Sequence, residues 1–289
     1  MPLKIERFGR FHTDLGECPL WDGEKLWMMD CRKGLIVSLD QAGSVTVEAE
    51  IPAPAGSFAL RKGGGLVVAL RDEVILIDPD GSRKTVGRLD LHHPNMRLND
   101  GAAMPDGSFI LGTMHTLREP GEAPLGGIYR LGTDHSFTRI GPALGVANGP
   151  LVHPASGLFT ICDSTARRAD SYEFLPDGTL GPAQLYADFT ALNSPPDGCC
   201  LDDEGGFWTA LVTGSAIVRL DALGQVTQRI DVPVKHAAAL CFGGPDLSEI
   251  YLTTISDSGR LKADGPLDGA VLKITGHGRR GVPMDFYQG

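Results

Sequence analysis

Residues 108–114 read SFILGTM, an apolar run too short for a buried helix and opened by the turn Pro105-Asp106-Gly107. That combination predicts a buried β-strand entered from a hairpin. Runs of the same kind recur as KLWMMD (25–30), GLVVAL (65–70), GLFTICD (157–163), GFWTALV (206–212) and EIYLTT (249–254). In chain order their starts are separated by 40, 43, 49, 49 and 43 residues. A period of about 45 is that of a four-stranded propeller blade. Each run is followed by a second short strand: GLIVSLD, EVILIDP, GGIYRLG, RADSYEF, SAIVRLD and GAVLKIT. A third often follows, such as SVTVEAEI at 44–51. The predicted fold is all-β, a six-bladed β-propeller with four-stranded antiparallel blades, and one domain over 1–289. A β-sandwich is the competing reading, and six units of similar length argue against it. The early strand LKIERF is expected to pair with the last blade and protect its edge.

Composition narrows the function. The chain has 289 residues, 38 of them glycine and 20 proline, and no long segment of helical period. Its net charge of −10 sets it against a phosphate backbone, so nucleic acid is not an expected partner. No stretch of about 18 apolar residues predicts a membrane span. MPLKIERFGR lacks the apolar core of a signal peptide and reads as a strand, so a cytoplasmic protein is expected, a monomer or weak homo-oligomer. The six cysteines are scattered without a CxxC pair and are expected to be reduced and mostly buried. Of the adjacent Cys199 and Cys200, alternation turns one to the core.

Eight or nine residues before each strong run lies the innermost strand. Those positions are Glu17, Gly56, Asn99, Asn148, Asp197 and Leu240. Four carry oxygen, and a shared register around a propeller brings side chains toward its axis. Two carboxylates with amide oxygens form a site that a divalent cation would neutralise. No histidine or cysteine shares the register, which favours a hard or borderline metal over a zinc cage. For any one of these residues, a bond to backbone within a turn is the simpler reading.

The segments GECPLW (16–21), RLNDG (97–101), ANGP (147–150), PPDGCCLDDEGGFW (195–208), FGGPDLSEIYLTT (242–254) and GPLDGAVLKITGHGRRG (265–281) resemble the senescence marker protein/gluconolactonase/regucalcin family. The resemblance runs nearly end to end. It implies a six-bladed propeller that hydrolyses a sugar lactone with one divalent metal, whether Ca2+, Zn2+, Mn2+, Mg2+ or Fe2+. By the same resemblance Glu17, Asn148 and Asp197 are the metal ligands, and Asp197 is also the general base. Arg97 and Asn99 resemble the substrate-contacting pair. The pattern departs after SFILGTM: where family members often carry a substrate-contacting Glu, this chain has Leu117, with Glu119 and Glu122 nearby. Leu117 is therefore expected as an apolar wall that favours a pentono- or deoxy-sugar lactone.

The implied chemistry is attack of water on the lactone carbonyl, with the metal stabilising the developing oxyanion. Organophosphate hydrolysis and a non-catalytic calcium-binding propeller are the alternatives. Other tempting residues read as bland. His92 and His93 are expected as loop histidines, His115 near the channel mouth as a contact of the substrate or of the residues that hold it, and His153 and His277 as surface. Asp163-Ser164 has no histidine in register and makes no triad. Asp100 points away from Asn99 and reads as structural. Gly63-Gly64-Gly65 is a hairpin turn, without the Lys-Ser/Thr of a phosphate loop.

Overall fold

The six apolar runs form the second strands of six four-stranded antiparallel sheets in a computed structural model that describes residues 2–90, 93–115 and 117–289. Blade 1 is Gly16–Trp21, Leu26–Asp30, Leu35–Leu39 and Val45–Glu50. Blade 2 is Ser57–Leu60, Leu66–Ala69, Glu73–Ile77 and Arg83–Arg88. Blade 3 is Met96–Ala103, Phe109–His115, Ile128–Leu131 and Phe137–Gly141. Blade 4 is Ala147–Val152, Phe159–Asp163, Arg168–Tyr172 and Gln184–Asp188. Blade 5 is Pro196–Leu201, Phe207–Leu211, Ala216–Leu220 and Val226–Asp231. Blade 6 takes Ala237–Gly243, Glu249–Thr254 and Ala270–Thr275 and is completed by the N-terminal strand Lys4–His12. That strand pairs Lys4 with Thr275 and Arg7 with Leu272, as the sequence predicts. The fold is a six-bladed β-propeller, and among the described residues the one helix is the 3-10 turn Thr190–Leu192.

Burial follows strand position. The second strands are almost wholly buried, because both faces of a blade pack on neighbours. The fourth strands are mostly exposed and polar, as in VTVEAE and VTQRID. The chain divides into two compact units. Residues 1–51 and 187–284 hold blades 5, 6 and 1, and residues 52–186 with 285–289 hold blades 2, 3 and 4.

In the first unit, Trp208, Phe242, Leu252 and Ile274 pack between blades 5 and 6, and Phe8, Trp21, Met28 and Tyr251 between blades 6 and 1. In the second, Leu98, Phe109 and Tyr129 pack with Tyr287, and Ile110, Phe159 and Tyr172 form a further cluster. All six cysteines are free thiols. Cys200 packs on the blade 5–6 cluster, while the Cys199 thiol donates to the Asp197 carbonyl at 3.1 Å. No helix is long and apolar enough to cross a membrane.

Candidate functional site

The four oxygen-bearing candidates all lie on innermost strands: Glu17 in blade 1, Asn99 in blade 3, Asn148 in blade 4 and Asp197 in blade 5. Each of these strands carries a one-residue β-bulge at the candidate position. Three residues advance against two on the second strand, between Glu17 and Leu20, Leu98 and Gly101, Asn148 and Leu151, and Pro196 and Cys199. A bulge bends the strand and re-aims the side chain. Blade 2, whose equivalent is Gly56, pairs without a shift.

The bulges fall in two registers. Glu17 and Asn148 are the last paired residues, each followed by a left-handed residue, Cys18 at φ 50° and Gly149 at φ 59°. Asn99 and Asp197 are the first residues inside their bulges.

A carboxylate supports each member of the first class. Asp30, at the end of the second strand of blade 1, accepts the backbone N–H of Asp14 at 2.9 Å and of Leu15 at 3.4 Å. Those residues lie three and two positions before Glu17. Asp163, at the same place in blade 4, accepts from Gly145 at 2.8 Å and Val146 at 3.3 Å, three and two before Asn148. Asp163 is thereby a turn clasp.

In the blade 2–4 unit, Asn99 Nδ2 donates to Asn148 Oδ1 at 2.9 Å and to the Ala147 carbonyl at 2.9 Å. Asn148 Nδ2 donates to Ser164 Oγ at 2.8 Å. These three bonds fix both amides: Asn99 spends both of its N–H groups and keeps its oxygen, while Asn148 spends one N–H and one of the two lone pairs on its oxygen. Asp100 Oδ2 accepts the Gly149 N–H at 2.7 Å and so holds the bulge beside Asn148, the structural role expected of it. The backbones here are close: a Cβ on Gly56 would stand 2.7 Å from the Asn99 carbonyl, so no side chain fits there. Arg97 is half-buried, pairs across strands with Met114, and its Nη1 donates to the Leu98 carbonyl at 2.8 Å.

In the other unit, Glu17 is half-buried and Asp197 is 7% exposed, on the inner strands that flank Ala237–Gly243. Thr209 Oγ1 lies 3.3 Å from both the Asp197 N and its carbonyl. A Cβ on Gly198 would stand 2.3 Å from that of Ala239, so glycine after Asp197 lets the two inner strands touch. Among the described residues no three His, Cys, Asp or Glu side chains cluster to hold a metal. The expected donor set does not require such a cluster, because it has two carboxylates and one amide. Its fit rests on chemistry: hard oxygen donors, with the Asn148 oxygen held in place by Asn99 and keeping one lone pair.

The structure corrects several expectations. Leu117 is 72% exposed on a left-handed backbone at φ 56°, so it stands in solvent and is not a packed wall. Glu122 accepts the Glu119 N–H at 2.9 Å in the same exposed turn. His115 is a packed residue: it is 1% exposed, its Nδ1 accepts the Leu125 N–H at 3.2 Å, and His93 sits edge-on at 4.7 Å. Burial pushes His115 below the ordinary histidine pKa. His277 is buried rather than on the surface, against Trp208 and Phe242, and His153 is half-buried. His92 lies outside the described residues.

A family model described as the SMP-30/gluconolactonase/LRE-like region matches residues 15–256. Regucalcin of Gallus gallus is 32% identical over 97% of this chain and 97% of its own. A 6-deoxy-6-sulfogluconolactonase of Pseudomonas putida is 31% identical over 89% of this chain and 90% of its own. A solved luciferin-regenerating enzyme superposes with a TM-score of 0.87 at 24% identity, covering 99% of this chain and 100% of that one, a likeness of fold. With the family model spanning five blades and relatives above 30% identity along nearly the whole chain, the protein belongs to the SMP-30/gluconolactonase/LRE-like family.

Proposed function

We propose that the protein hydrolyses a sugar lactone to the aldonic acid with the help of one divalent cation. The observation that carries this reading is the fixed amide pair Asn99–Asn148 on neighbouring inner strands, with Arg97 two residues before Asn99. In this family, the sulfogluconolactonase relative supports a lactone as the substrate class.

The residues divide the work by what they can donate and accept. Glu17, Asn148 and Asp197 would hold the cation, which when bound polarises an acyl oxygen and offsets charge developing on it. Asn99 has spent both amide N–H groups, so toward substrate it acts as an acceptor for a hydroxyl proton. Arg97 supplies the opposite polarity, N–H donors for ring or hydroxyl oxygens. Asp197 takes the proton from the attacking water. The water oxygen bonds to the acyl carbon, the ring C–O bond breaks, and the ring oxygen leaves with a proton as the hydroxyl of the open acid.

The test is proton release on adding glucono- or xylonolactone, with divalent cation and then with excess chelator. Release that depends on the cation is expected. Turnover of a phosphotriester but of no lactone would replace this reading with organophosphate hydrolysis. Tight calcium binding with no turnover of either would make the protein a non-catalytic calcium binder.

A further inference from the structure

A cavity of about 160 Å³ opens in the blade 2–4 unit, lined by Pro54, Pro94, Met96 and Met114 and by two arginines, Arg71 and Arg97. Asn95 completes the lining, which among the described residues contains no carboxylate. In a chain of net charge −10, two guanidinium groups make the charged lining of this small cavity positive.

Arg71 is placed there by backbone. It sits in the turn joining the second and third strands of blade 2, closed by Leu70 N–H to the Glu73 carbonyl at 2.8 Å. Its own carbonyl accepts the N–H of Leu98 at 2.8 Å, which docks the turn onto the inner strand that carries Arg97 and Asn99. Among the described residues its side chain makes one hydrogen bond, Nη2 to the Pro94 carbonyl at 2.9 Å, and no ion pair. That bond holds the head group at the cavity and leaves most of its five N–H groups for a ligand. The prolines and methionines supply an apolar wall suited to a carbon chain.

The geometry points to an anion subsite. Arg71, with Arg97, receives a negatively charged substituent on the exocyclic carbon of the lactone, and this makes the substrate an anionic sugar lactone rather than a neutral one. The inference rests on the lactonase reading and names its substrate class. Sulfonate and phosphate share the needed chemistry, a tetrahedral oxyanion matched to a guanidinium fork.

The experiment compares kcat/KM of the intact protein on gluconolactone, 6-deoxy-6-sulfogluconolactone and 6-phosphogluconolactone, for wild type, Arg71→Gln and Arg71→Lys. The expected result is a preference for one of the anionic lactones of at least about tenfold. Arg71→Gln should bring that ratio toward one, Arg71→Lys should restore part of it, and added salt should weaken it. The arm that responds tells sulfonate from phosphate. A wild-type ratio near or below one, or a ratio unmoved in Arg71→Gln, overturns the subsite and leaves the lactonase reading standing.

Calorimetric binding of the stable acids, sulfogluconate and phosphogluconate against gluconate, separates the two ideas further. If no lactone is turned over but a charged acid binds more tightly, in an Arg71-dependent way, the subsite stands and the lactonase reading falls. Equal binding of charged and neutral acids overturns the subsite.

Discussion

Asn99 donates from Nδ2 to Oδ1 of Asn148 across two inner strands at 2.9 Å, so the residue expected to touch substrate also orients the amide expected to touch metal. The two roles are coupled. Read from sequence alone, Asn99→Ala should spare metal binding. The hydrogen bond changes that expectation: losing it removes about 1 kcal/mol of orientation from Asn148, or about fivefold in cation affinity, together with a larger loss in kcat/KM. Asn99→Asp removes the same bond, because it sets a carboxylate oxygen against the Asn148 oxygen, and any gain in affinity from its added charge is separate from that orientation. Calorimetric cation titration of the three proteins checks this. Wild-type affinity in both variants would uncouple the pair.

Glu17→Ala and Asp197→Ala should each lower divalent-cation affinity by at least about a hundredfold, since each removes one of the two negative charges in the expected set. Chelation should leave the far-UV circular dichroism unchanged, because the packed clusters around Trp208 and Phe109 need no ion. Loss of the β signal on chelation would instead make the cation structural.

The blade count and the inner-strand positions were legible because they depend on period alone: SFILGTM and its five relatives all became second strands. What period cannot encode is pairing. The two bulge registers, which separate Glu17 and Asn148 from Asn99 and Asp197, depend on a residue skipped across the ladder. The letters carry one further signal. Asp30 and Asp163 end their runs as WMMD and TICD, and each clasps the turn before its blade's candidate. Arg71 gave no warning, because its relation to Arg97 is a contact between neighbouring blades. Leu117 misled because a sequence position does not tell whether a loop faces in or out.

Tyr287 should be among the most costly residues to remove from the blade 2–4 unit. It is fully buried, its hydroxyl donates to the Gly132 carbonyl at 2.9 Å, and its N–H donates to Leu60 at 2.9 Å. Burial pushes its phenol up to about 12. Tyr287→Phe should cost about 1 kcal/mol, the loss of one buried hydrogen bond. Tyr287→Ala should cost about 3–5 kcal/mol, since it also opens a cavity among Leu98, Phe109 and Tyr129. Urea unfolding of the two variants measures both, and equal costs would place the energy in the hydroxyl alone.

His277 should make the protein less stable as pH falls below about 6.5. The ring is 6% exposed between Trp208 and Phe242, and its Nδ1 accepts the Arg279 N–H at 3.2 Å. The proton therefore sits on Nε2. A second proton would displace the Arg279 N–H and charge a ring packed in an aromatic cluster. Burial accordingly holds the pKa below the ordinary histidine value, opposed by the Ser248 backbone and by Asp202 and helped by the Arg279 charge. Between the depressed native pKa and about 6.5 the unfolded chain binds more protons, so acid draws the equilibrium toward it, at up to about 1.4 kcal/mol per pH unit for one proton. His277→Phe keeps the ring and cannot titrate. It should be less stable than wild type at pH 7.5 by about 1 kcal/mol, for the lost acceptor, yet lose less on going to pH 5. His115 and His153 are depressed by burial as well, so the variant keeps part of the slope. Urea unfolding at pH 7.5, 6.5, 5.5 and 5.0 gives the two curves. If they run parallel, His277 takes up its proton as readily folded as unfolded, and the buried aromatic setting does not control its charge.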